Sequence, residues 1–136
     1  MGRTASGRLA LLLVLGLLVQ GGVVACNTTA MLRPPVVSTS LPDGENRQLI
    51  VESLKTQGWS VLSEKPCEII ARYVKQTHVA QVRVLYDDAG IRIVYASSQD
   101  LKCDPVGDSC AKIHKAYNTW VQSLYEDILA RVQARS

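Results

Sequence analysis

The chain carries 136 residues, with 15 Lys and Arg against 12 Asp and Glu and a formal net charge of +3. Basic residues are scattered among acids rather than massed, so there is no electrostatic case for nucleic acid as a partner. Once the leading segment is set aside, roughly 90 residues remain, enough for one hydrophobic core and too few for two.

The amino terminus has the anatomy of an export signal. Arg3 and Arg8 precede an apolar run from Leu9 to Val19, and Gly21-Gly22-Val23-Val24-Ala25 leads to Cys26. The run holds about 11 residues, or roughly 16 Å of helix, whereas a bilayer core of about 30 Å needs about 20. A cleaved signal over residues 1–25 is therefore expected rather than a membrane span. Val23-Val24-Ala25-Cys26 resembles the lipobox of bacterial lipoproteins, which implies lipid on Cys26 as the new amino terminus. One acyl chain anchors only marginally, whereas two or three hold a protein at the membrane. By resemblance to the sorting rule of enteric bacteria, Asn27 after the cysteine leans toward the outer membrane, facing the periplasm. Loss of Arg3 and Arg8 takes the formal charge of +3 to +1.

Residues 26–44 hold the lipidated cysteine and a stretch rich in Pro, Ser and Thr without helical periodicity. They are expected to form a flexible tether spanning roughly 25 Å. Pairing of Val36 and Val37 with the edge of the domain is the alternative.

The domain, residues 45–136, opens on a helix over 45–57, with Asp43 as its expected N-cap and Leu49, Ile50 and Leu54 on its apolar stripe. Gly58 supplies a left-handed stop. Strands are expected over 59–64, 67–75, 78–86 and 91–97, with Lys65-Pro66 turning the chain and Asp87-Asp88-Ala89-Gly90 marking a hairpin. Ile69, Ala71 and Tyr73, then Ala80, Val82, Val84 and Tyr86, then Ile91, Ile93 and Tyr95 alternate onto one face. Gln81, Arg83 and Arg92 fall on the wetter one. A last helix over 110–131, capped by Asp108 or Ser109, carries Ile113, Ala116, Tyr117, Trp120, Val121, Leu124 and Ile128 at spacings of three and four. The expected fold is α+β: a four-stranded antiparallel meander with an N-terminal and a C-terminal helix on one face, in the order α-β-β-β-β-α.

Ser97-Ser98-Gln99-Asp100-Leu101, followed by Ile113-His114 and Tyr117-Asn118-Thr119-Trp120, resembles a family of small uncharacterised Gram-negative envelope lipoproteins. That family pairs a lipobox with a small α+β domain and places an Ile-His-x-x-Tyr-Asn-x-Trp run on its last helix. The resemblance spans roughly residues 45–130 and departs at Lys102–Cys110, a longer, cysteine-flanked turn. It implies fold and address, and it carries no activity.

Three cysteines remain beside Cys26. Export places them in an oxidising compartment, and Cys103 and Cys110, bracketing a Pro- and Gly-containing loop, are the expected disulfide. Cys67 is expected to be a small buried thiol. Neither Cys-x-x-Cys nor a second cysteine pair is present, so neither a metal nor another cofactor is expected. The turn acids Asp87, Asp88, Asp100, Asp104 and Asp108 lack the spacing of an EF-hand. His114, Tyr117, Asn118 and Trp120 are the candidate binding or structural residues, with Trp120 in the core and His114 structural.

The resulting expectation is a non-enzymatic envelope lipoprotein, held to the membrane through lipid on Cys26. It would bind an envelope protein or cell-wall component, or serve a structural role. An orphan hydrolase with His114 as general base is the alternative.

Overall fold

A computed structural model describes Gly2 and residues 27–136; the rest of the expected signal and Cys26 lie outside the described residues. In chain order the elements are β1 (Thr28–Ala30), α1 (Asp43–Thr56), β2 (Ser60–Lys65), β3 (Glu68–Lys75), β4 (His78–Asp87), β5 (Gly90–Gln99), β6 (Asp104–Val106), β7 (Ser109–His114) and α2 (Lys115–Arg135). Strands β2-β3-β4-β5 form the expected antiparallel meander. Its inner face carries the alternating set read from the sequence, with Ile69, Ala71, Ala80, Val82, Val84, Tyr86, Ile91 and Ile93 all buried beneath the two helices.

Local chemistry accounts for the connections. Gly58 takes φ +85° after α1, as expected of a left-handed stop. Asp87 Oδ1 accepts from Ala89 N–H at 2.8 Å inside the β4–β5 hairpin. Asp43 is the first helical residue of α1 rather than its N-cap; Pro42 holds that position without a side-chain cap. The Pro42 carbonyl accepts from Glu45 and Asn46, and buried Asn46 bonds Leu41 O and Thr39 Oγ1, fixing the entry to the helix. Cys67 is exposed, not buried, and takes φ 65°. With Pro66 before it, it fills the left-handed corner of a tight turn, which points its side chain away from the core.

The carboxyl-terminal helix begins later than its periodicity implied. Residues 109–114 are a strand, so neither Asp108 nor Ser109 caps a helix, and Ile113 belongs to β7. β7 pairs with β6 on one side and β1 on the other, building a second, three-stranded sheet that the sequence did not announce. The Cys103–Cys110 disulfide, with Cα atoms 5.4 Å apart, closes the β6–β7 hairpin.

Residues 28–41 are not a free tether. β1 pairs with β7, Met31 and Val37 are buried in the core, and Val37 exchanges two 2.9 Å backbone hydrogen bonds with Ile91 at the edge of β5. Burial of two apolar side chains and a row of backbone pairs outweighs the chain freedom expected from composition. The helices are clipped together by Asp127, which accepts from Ser53, Gln57 and Arg131. Burial would raise the Asp127 carboxyl, but those three donors and the Arg131 charge hold it below the usual carboxylate range.

Candidate functional site

The residues singled out from the sequence are brought to one end of the molecule but do different work. His114 is the N-cap of α2: its Nδ1 accepts from Ala116 N–H at 3.0 Å. Its ring lies 5.3 Å from that of His78, whose Nδ1 bonds the Asp100 carbonyl. Tyr117 is 1% exposed and sits edge-on to Tyr95, with centroids 5.8 Å apart. Burial, and secondarily Tyr95, pushes its phenol above the ordinary range. Trp120 is not enclosed as expected; it is partly buried and lies against Tyr73 at 4.5 Å. The enclosed tryptophan is Trp59, whose ring centroid also lies near that of Tyr73, at 5.3 Å.

Asn118 has a definite task. Its Oδ1 accepts from Leu32 N–H at 2.7 Å and its Nδ2 donates to the Ala30 carbonyl at 2.9 Å, a side-chain clamp on the segment leaving β1. Asn118→Ala is expected to cost about 1–2 kcal/mol, because two backbone groups lose their partner. It should also expose residues 27–33 to proteolysis well below the melting temperature. A cleavage rate equal to that of the wild type would remove the clamp from the account.

Burial lowers the pKa of His114, aided by His78, Lys102 and Lys115 and opposed by Asp100. A histidine whose folded pKa is depressed contributes stability that is complete above its unfolded value, about 6.5. That stability is lost as pH falls below this value, because the unfolded chain takes up the proton first. The melting temperature should therefore fall between pH 7.5 and 5.5. The fall should be smaller in His114→Asn, which keeps a capping acceptor without a titrating ring. Identical pH profiles would assign the loss elsewhere.

A second feature lies where the amino-terminal segment crosses the sheet. A half-open groove of about 570 Å³ runs between Met31–Val36 and the β5 residues Arg92–Ala96, closed at one end by Asp108 and Ser109. Three arginines line it. Arg33 donates to Ser109 Oγ at 3.2 Å, Arg92 pairs with Asp87 at 3.2 Å, and Arg83 stands 3.9 Å from Glu68. Between them are exposed apolar side chains, Val36 at 45% and Val94 at 36%. The Nε of Arg92 is buried without a hydrogen-bond partner among the described residues. A buried donor left unpaired is costly.

Sequence reading placed Arg83 and Arg92 correctly on the wetter face but missed the groove. Its other wall comes from residues assigned to a tether, and only the alternative pairing of Val36 and Val37 pointed to it. Among the described residues no cluster of His, Cys, Asp and Glu suits a metal ion, and no helix is long and apolar enough to cross a membrane. Comparison with protein-family models, with curated proteins and with solved structures finds no match for this chain.

Proposed function

We propose that this protein is a lipid-anchored, periplasm-facing lipoprotein of the bacterial envelope, one of the small Gram-negative family it resembles, and that it works by binding. The observation that carries the reading is the arginine-lined groove built from the segment immediately behind Cys26. A concave site with apolar walls and a few convergent polar groups is the usual form of a binding site.

The geometry near the anchor agrees with this address. The Asn27 carbonyl accepts from Lys115 N–H at 2.7 Å, so the chain reaches the domain one residue after Cys26. Lipid on Cys26 would hold this end of the domain against the bilayer, without a spacer. Exposed Lys102 and Lys115 flank His114 at the same end. Lysines so placed suit anionic headgroups, at about 1 kcal/mol each near such a surface.

The hydrolase alternative draws less support. Nδ1 of His114 is committed to the helix cap, and Cys110, the neighbouring thiol in sequence, is consumed by the disulfide. General-base work also needs a nucleophile within hydrogen-bond reach.

Site-specific photo-crosslinking in living Gram-negative cells tests the binding reading. A photoreactive residue at position 94, in the groove, should capture a discrete envelope component. The same residue at position 55, on the exposed face of α1, should not. Equal capture from both positions, or none from position 94, would reject the groove as the working surface.

A further inference from the structure

We infer that the groove takes an extended, acidic polypeptide segment as an added strand on the edge of β5. This rests on the binding reading above and names its occupant.

The backbone comes first. β5 is the outer strand of the meander, and among the described residues its free edge is paired at one point, the isolated Val37–Ile91 bridge. Ile91 turns its N–H and C=O away from β4 toward Val37. In an antiparallel ladder residues alternate in this respect, so Ile93 and Tyr95 present their backbone groups to the same side, along the groove. The outward row ends at Ala96, the extra residue of a bulge opposite Gln81 and Val82. An uncovered edge of this kind is a template for strand addition.

Side chains then select the occupant. Alternation places Arg92 and Val94, with Arg83 of β4 across from Val94, on the outer face of the sheet. Ile93 and Tyr95 turn to the core side. A strand laid beside them would meet arginines on one face and apolar surface on the other. Arg33 projects from the opposite wall. Asp108 is the single acid in the lining; Asp87 and Glu68, outside it, face Arg92 and Arg83 but leave each guanidinium further N–H donors, and Arg33 donates to a hydroxyl. The guanidinium side chains of Arg83 and Arg92 are partly exposed, and arginine binds carboxylates through paired N–H groups. A lipid phosphate would satisfy the arginines but leave the strand edge unpaired. The ladder therefore favours a peptide.

The test is a fluorescence-anisotropy titration of the full chain, purified in detergent. The probe is a labelled Val-Glu-Val-Glu-Val peptide, about 17 Å long when extended. It should bind at least tenfold more tightly than Val-Lys-Val-Lys-Val. Methylation of alternate backbone amides on the peptide, which leaves the protein untouched, should weaken binding at least fivefold. The double variant R33A/R92A should weaken it at least tenfold while retaining the wild-type circular dichroism spectrum. Equal affinity for the two peptides, or indifference to amide methylation, would overturn the inference. So would arginine-dependent binding of phosphatidylglycerol vesicles or inorganic phosphate with no binding of the acidic peptide. Crosslinks at position 94 with no peptide binding would reject this occupant alone; loss of both would reject the binding reading as well.

Discussion

Tyr117→Ala is expected to lower the unfolding free energy by about 3–5 kcal/mol, the usual cost of removing a large, fully buried ring. Tyr117 is 1% exposed and stands in the first turn of α2, where the core beneath the meander meets the second sheet. Its ring meets the edge of Tyr95, and Ile113 and Val121, close in sequence, are fully buried as well. A domain of this size holds only about 5–15 kcal/mol, so the variant should melt far below the wild type or fail to fold. Trp120→Ala should cost clearly less, since that ring is only partly buried. Thermal and urea denaturation of the two variants side by side checks the order. A Trp120 variant weaker than the Tyr117 variant would contradict the assignment of the core.

Gly90→Ala is the second large effect. Gly90 closes the β4–β5 hairpin at φ +120°, a conformation that side chains strain against. A Cβ there would stand 2.4 Å from the Val37 carbonyl oxygen and 2.9 Å from a Val36 methyl. Backbone strain alone costs about 1–3 kcal/mol, and the clash must also push Val36 and Val37 off the sheet. The variant should therefore lose the Val37–Ile91 bridge and open one wall of the groove. Hydrogen exchange at the amides of Val37 and Ile91, which bond each other's carbonyls, reads this directly. Protection equal to that of the wild type would show that the hairpin absorbs the added methyl.

The meander was legible because two-residue alternation in β3, β4 and β5 is clean and the Asp87–Gly90 turn is unambiguous. The second sheet was not, and β7 explains why. Lys112 pairs with Asp104 while Cys110 pairs with Pro105, leaving Ala111 as an extra residue in the strand. That irregularity reverses the alternation, so Cys110 and Ile113, three apart, are both buried. Three is a helical spacing, and the run continues into α2 without a break in period. His114 therefore read as a mid-helix residue when it is the cap. The packed amino-terminal segment was hidden for a different reason. Its composition is that of a linker, and what holds it comes from distant residues: Asn118, β7 and Ile91. The groove inherits that difficulty, since Arg33 reaches Arg83 and Arg92 only through this docking.

The proposed anchor at Cys26 is what would set a groove-bearing domain beside the envelope membrane. Metabolic labelling with radioactive palmitate in a Gram-negative host, followed by mass analysis of the purified chain, tests it most directly. The account predicts label in the wild type, none in Cys26→Ser, and a mature protein that lacks residues 1–25 and begins at acylated Cys26. Equal labelling of the two proteins, or an unmodified mature chain beginning at another residue, would contradict it.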